Sequence, residues 1–267
     1  MLDNSQKLPS LATASLRDPK EGTAFAVLAF TAMIGVTLFL TLFWRFLPLL
    51  LVIFIGTQIR KALARAHYRA NAVQVTANQF PEIHRMAAAF AERLGYPLPT
   101  IYVIQDSIYN AFAMRLLGQP VVVLHSMAVD SILIRGDFRQ LAYLVGHELG
   151  HHYAGHLGWR QVVAEWGAWM IWIYLWWSRR CEFTCDRYGL ACSENLESAQ
   201  LAICNMAVGG QMASRVNIPE AVQQWEAHRT EFFVRYYALY STHPHTLHRL
   251  AALSKAADEL GVPARTN

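Results

Sequence analysis

The stretch His147-Glu148-Leu149-Gly150-His151 sets two histidines four residues apart, with a glutamate directly after the first. On a helix, positions four apart lie only about 40° from one another around the axis. Both imidazoles then leave one face, one turn apart, a spacing at which two ring nitrogens can share a zinc ion. Glu148 sits roughly 100° round from His147, off the ligand face. From there it can lean over a metal-activated water and act as general base. A structural zinc site has no use for such a glutamate; a hydrolytic one does. Ala142, Tyr143, Val145, Gly146, Leu149 and Gly150 surround the motif with apolar or small side chains. The helix is therefore expected to be buried, and buried His and Glu need partners.

A zinc hydrolase needs a third protein ligand and an open fourth position. The extended pattern H-E-x-x-H-x-x-G-x-x-H does not supply it. Ala154 and Leu157 occupy the required positions, and Gly155 and His156 are out of register. His152 and His156 point away from the ligand face and are expected to be solvated or locally bonded. The better candidate is Glu182-x-x-x-Asp186, again one helical turn. Glu182 can bind the ion, and Asp186 can reach a ligand histidine's second nitrogen and fix its tautomer. The alternative is an exposed acidic pair balanced by Arg179, Arg180 and Arg187.

These residues must be positioned by the rest of a 267-residue chain of net charge +4, too mild and too scattered to argue for nucleic acid. Residues 1–22 are polar and read as a loose tail. An apolar run follows over 23–56, broken only by Arg45 and Pro48. It is too long for a signal peptide, whose apolar core is about 7–15 residues. A spanning helix needs about 20, which residues 23–44 supply. Residues 46–59 are short for a second crossing. They form either a thin second helix, in a hairpin with Arg45 at the turn, or an interfacial continuation. Arg60, Lys61, Arg65 and Arg69 come next and mark the cytoplasmic side. The expected organisation is a tail (1–22), a transmembrane anchor (23–59) and a domain (60–267) facing the cytoplasm from a cell membrane, inner or plasma. The four cysteines suit that reducing compartment as small buried residues.

Within the domain, Ile83, Met86, Ala87, Phe90 and Leu94 recur at helical spacing, and Gly95 and Pro97 stop the helix. Residues 100–104, 110–113 and 120–125 read as strands, with Leu117-Gly118-Gln119 in a hairpin turn. A helix over 126–133 has Ser126 as its candidate cap, and Asp137 caps the motif helix. The fold class is α+β: mostly helical, with a small antiparallel sheet.

The pairing of His147-Glu148-x-x-His151 with Glu182-x-x-x-Asp186 resembles the HtpX and CAAX prenyl protease family of membrane-associated zinc metallopeptidases, over about residues 75–255. Asn110-Ala111-Phe112-Ala113 is similar to that family's edge-strand motif beside the cleft. Ser241-Thr242-His243-Pro244, with Arg249 following, is similar to its late His-Pro motif. The resemblance implies a zincin-like domain with one zinc held by His147, His151 and Glu182, and Glu148 as the catalytic glutamate. It also implies His243 near the scissile carbonyl, where it stabilises the oxyanion or donates a proton, and substrate along Asn110, Ala111, Phe112 and Ala113.

Between the two motifs this chain departs from the family, whose HtpX members place two full membrane helices there. Thirty residues separate His151 from Glu182. If helical throughout, each leg is about 15 residues, or roughly 23 Å. Six of the eight tryptophans lie here: Trp159, Trp166, Trp169, Trp172, Trp176 and Trp177. Tryptophan favours the membrane interface. Residues 159–178 are read as the tip of a helical hairpin, turning near Trp166-Gly167 and dipping into the near leaflet. The alternative is a tip packed on the anchor helices or on a second subunit. The function expected is a membrane-anchored zinc endopeptidase acting on membrane-associated or misfolded proteins. A dedicated CAAX-type processing protease, a non-catalytic zinc-containing membrane adaptor and a metal-free interaction protein are the alternatives.

Overall fold

A computed structural model describes residues 13, 15–105, 110–134 and 136–264 of the chain. In chain order the elements are α1 (Glu21–Leu42), a 3-10 turn (Trp44–Phe46), α2 (Leu47–Asn71), β1 (Val73–Gln74), α3 (Pro81–Leu94), β2 (Thr100–Ile104), β3 (Ala111–Leu116) and β4 (Gln119–His125). They continue with α4 (Ser126–Leu133), α5 (Phe138–Tyr153), α6 (Trp159–Gly167), α7 (Ile171–Ser193), α8 (Leu196–Val208), α9 (Gly210–Ala213), α10 (Ile218–His228), α11 (Phe232–Leu239) and α12 (Thr246–Leu260). The expected loose tail falls mostly on residues 1–12 and 14, outside the described residues. Its end is packed: Leu16 is fully buried and Arg17 donates to the carbonyl of Ala154.

Two helices are long and apolar enough to cross a membrane, and they meet at a turn containing Arg45. The 22 residues of α1 extend about 33 Å at 1.5 Å per residue. One stripe of α1, Ala24, Leu28, Thr31 and Ala32, packs on α6 and α7, while Phe30, Met33 and Leu40 face outward. α2 buries no residue. The boundary expected at 59/60 has no break in the backbone. α2 runs through it to Asn71, and its last turns set Ala64 and Tyr68 against the sheet.

The sheet has the order β1-β2-β4-β3 and is mixed, which corrects the antiparallel expectation. The β3–β4 hairpin folds back so that β4 enters between β2 and β3. β4 is therefore parallel to β2 and antiparallel to β3. Side chains alternate along β4 as the two-residue period requires. Val122 and Leu124 face the main core under α3, α4 and α5, and Val121 and Val123 face α2. β3 is left as an edge. Ser126 is not a cap; His125 holds that position without a side-chain cap bond, and Ser126 is already helical.

The Trp-rich segment is a helical hairpin, α6 then α7, with its turn at residues 168–170. It packs along α1: Trp169 donates Nε1–H to the Thr31 carbonyl at 3.0 Å, and a Cβ on Gly167 would strike Leu28. Trp159, Trp166, Trp169 and Trp172 remain largely exposed on their outer sides.

Candidate metal centre

The central pair of helices is α5, which carries His147, Glu148 and His151, and α7, which carries Glu182 and Asp186. Asp137 starts α5 by accepting from the backbone N–H groups of Arg139 and Gln140. The two helices can approach because Gly146, Gly150 and Gly189 line their contact. A Cβ on Gly189 would lie 2.8 Å from the Tyr143 carbonyl oxygen, and one on Gly150 would lie 2.9 Å from Cβ of Tyr188. That approach brings the Glu182 carboxylate to the two motif imidazoles: Oε2 is 3.5 Å from Nε2 of His147 and Oε1 is 3.6 Å from Nε2 of His151. Nε2 of His243, from the loop before α12, lies 3.7 Å from Oε1.

Donors around a tetrahedral zinc, at about 2.0–2.2 Å from the ion, stand roughly 3.4 Å apart. The separations here match that spacing and exceed ordinary hydrogen bonds. The field fits as well. Burial disfavours a charged ring at His147, but hydrogen bonds and charges from Asp186 and Glu182 outweigh it and raise its pKa to about 10. A site that holds a proton this firmly between carboxylates also attracts a cation. Burial pulls His151 down to about 3, leaving it as a neutral imidazole, the form that binds metal. Burial alone would raise Glu182, yet His147 and His151 hold it well below the usual carboxylate range. Cys185 also comes within 4.8 Å of the His147 and His151 nitrogens. It is fully buried, and burial pushes its thiol well up, away from the thiolate a metal needs.

Glu148 is buried beside this cluster. Burial pushes its carboxyl up to about 7, with Glu182 adding to the rise, and His147, Arg249 and a backbone hydrogen bond from Ala113 opposing it. The cleft over the cluster, about 240 Å³, is lined by Asn110, Ala111, Phe112 and Ala113 on one side and by His243 on the other. The structure thus places His147, Glu148, His151, Glu182, His243 and residues 110–113 around one cleft. Asp186 reaches Nδ1 of His147 at 3.0 Å.

Sequence reasoning missed the pairing of Asp186 with Tyr143 and Arg249 behind the cluster. Asp186 accepts from the Tyr143 hydroxyl at 2.6 Å and is paired with Arg249 of α12. Tyr143 stands one turn before His147, so helical period was the signal that pointed to it. His156 is locally bonded, as one branch of the expectation has it, whereas His152 is neither solvated nor locally bonded, which corrects the expectation for that residue. Nε2 of His152 lies 3.0 Å from the Val121 carbonyl, and His156 is buried against His151. The cysteines are free, and Cys181, Cys185 and Cys204 are buried.

The model of Peptidase family M48 matches residues 77–171 and 161–257. Among curated proteins, the chain is 25% identical over 168 residues to the plastoglobule-localized metallopeptidase 48 of Arabidopsis thaliana, covering 57% of this chain and 48% of that one. It is 32% identical over 81 residues to the protease HtpX homolog of Ralstonia pickettii, covering 30% of this chain and 27% of the relative. With the protease HtpX homolog of Halobacterium salinarum it shares 27% over 100 residues, 38% and 33% of the two chains. The chain thus spans about half or less of the length of the curated relatives it matches. No solved structure matches it significantly.

Proposed function

The chain belongs to peptidase family M48, and from that premise we propose that it is a membrane-anchored zinc endopeptidase with a zincin-like centre. The observation that carries the reading is one carboxylate, Glu182, standing 3.5–3.7 Å from three imidazole nitrogens with a buried glutamate beside them.

In this reading His147, His151 and Glu182 hold one zinc per chain and leave a position open toward the cleft. Zinc, when bound, lowers the pKa of water and polarises the scissile carbonyl. Glu148 takes the proton of the attacking water and passes it to the leaving amine. Burial, which raises the carboxyl's affinity for a proton, favours its holding that proton between the two steps. Asp186 keeps the hydrogen of His147 on Nδ1, so that Nε2 presents a lone pair. His243, largely exposed at the cleft mouth, donates to the carbonyl oxygen as it gains charge. The substrate lies extended along the edge strand β3 and gains main-chain hydrogen bonds there, a mode tolerant of side-chain sequence.

The exposed apolar surfaces of α1 and of the first half of α2 are read as membrane-embedded. Arg60, Lys61, Arg65 and Arg69 support a cytoplasmic side for the domain. The Trp-rich hairpin rests on α1 and keeps its outer tryptophans for the near leaflet. Membrane-associated or misfolded proteins are then the substrates within reach. The test is cleavage of unfolded casein by the full-length protein in detergent. Chelation should abolish it and added Zn²⁺ should restore it. Cleavage that survives chelation excludes the reading.

A further inference from the structure

The two motif imidazoles are held from behind in different ways. His147 reaches the Asp186 carboxylate directly. Among the described residues, His151 has no carboxylate at its back. Its Nδ1 lies 3.3 Å from Nδ1 of His156, and Nε2 of His156 lies 3.4 Å from Oε1 of Glu21. Glu21 is the first residue of α1 and is 1% exposed. Its Oε1 accepts from Arg17 at 2.8 Å and from Arg160 at 2.7 Å, and its Oε2 accepts from Thr184 at 2.7 Å.

The hydrogens along this row have one consistent order. With zinc held between Glu182 and Nε2 of His151, the lone pair of Nε2 is given to the ion and the ring hydrogen is on Nδ1. That N–H donates to Nδ1 of His156, which must then be bare. The hydrogen of His156 is therefore on Nε2 and is aimed at Glu21. Among the described residues, this buried nitrogen makes no hydrogen bond, and the Glu21 carboxylate at 3.4 Å is the ion-pair partner it faces. Two arginines and a threonine hold the Glu21 carboxylate still at the end of the row.

We propose that Glu21, acting through His156, is a positioning residue for the metal ligand His151, so that a carboxylate at the start of the first apolar helix sets the orientation of one zinc ligand. The inference rests on the zinc reading of the site. Ligand imidazoles almost always donate their second N–H to a fixed acceptor, and losing that acceptor weakens metal binding. Here the acceptor is a histidine with a carboxylate behind it, and the carboxylate belongs to α1. Glu21, His156 and Cys181 also lie close enough to hold an ion themselves. The two guanidinium groups on the Glu21 carboxylate oppose a second cation there.

The test uses full-length protein in detergent. Zn²⁺ affinity is measured against a chromophoric chelator, and the visible spectrum of the Co²⁺-loaded protein is recorded beside it. His156→Ala and Glu21→Ala should each bind Zn²⁺ about 10–100-fold more weakly and shift the Co²⁺ bands. The double variant should bind no more weakly than the weaker single one, because both cut one row. Glu21→Gln keeps an acceptor oxygen and should recover most of the affinity. Leu28→Ala, which loosens α1 against the hairpin away from the row, should lower the melting temperature without changing Zn²⁺ affinity. Wild-type affinity and spectrum in Glu21→Ala, additive losses in the double variant, or an equal loss of Zn²⁺ in Leu28→Ala would each overturn the relay. A second equivalent of Zn²⁺, lost in Glu21→Ala, would overturn it in favour of a separate metal site. Wild-type protein that binds no Zn²⁺ overturns the metal reading itself and is told apart from these by the wild-type titration alone.

Discussion

Arg249 grips Asp186 with two nitrogens: Nε donates to Oδ2 at 2.9 Å and Nη2 donates to Oδ1 at 2.6 Å. The pair ties the last helix to the carboxylate that faces Nδ1 of His147. Burial alone would raise the Asp186 pKa, but Arg249 holds it down at about 2. Arg249→Met removes the guanidinium from that buried carboxylate and leaves it only the Tyr143 hydroxyl and His147. The expected cost is about 3–5 kcal/mol in thermal unfolding, with zinc affinity falling about 10–100-fold as His147 loses its fixed partner. Unchanged chelator competition in this variant would separate Arg249 from the centre.

Gly189 sits in the tight contact between α5 and α7. An added methyl group would meet both the ring and the carbonyl oxygen of Tyr143, and neither can yield without moving a helix. Gly189→Ala is expected to cost about 1–3 kcal/mol by overpacking. It should also weaken zinc binding, because Glu182 rides on the displaced helix. Full stability together with full zinc affinity would show that the helices tolerate more separation than this contact implies.

Helical arithmetic made much of the centre legible before any fold was known. Four-residue spacing alone puts His147 with His151 and Glu182 with Asp186, and Asp137 announces the start of α5 by its side-chain chemistry. The hairpin return from His151 to Glu182 followed from chain length, although its turn falls a few residues past Trp166-Gly167. Long-range order was not legible. Nothing local to Glu21 says that it will face His156, more than 130 positions away. The sheet reads as antiparallel from its hairpin. Its parallel pair arises because β4, not β3, lies next to β2, and that depends on which side of the strand the hairpin lands. Ser126 is a good cap by type, but the backbone turns one residue earlier.

His248 lies between Phe183 and Trp225, stacked on the latter at 4.6 Å. Burial lowers its pKa from 6.5 to about 4, with nearby Arg180 adding to the effect. The folded state thus prefers the neutral ring, and the unfolded chain binds the proton first. Its contribution to stability is full above pH 6.5 and is lost as pH falls toward 4. His248→Phe keeps the stacking and cannot titrate, so its melting temperature should fall less over that window. Parallel curves for the two proteins would remove His248 from the acid response.

The proposed cytoplasmic orientation rests on the basic residues Arg60, Lys61, Arg65 and Arg69. A cysteine introduced by Glu220→Cys, at an exposed position on α10, should stay unlabelled by a membrane-impermeant reagent in intact cells. It should become labelled once the cells are opened. Labelling in intact cells would invert the topology.

The most direct measurement of the central claim is made on Glu148→Gln. The amide keeps the size of the carboxylate but cannot take a proton, and Glu148 is not among the groups that face Glu182 as ligands. Purified Glu148→Gln should carry one zinc per chain and melt as the wild type does, while casein cleavage falls about 10²–10⁴-fold. Near-normal cleavage by the zinc-loaded variant would contradict the account.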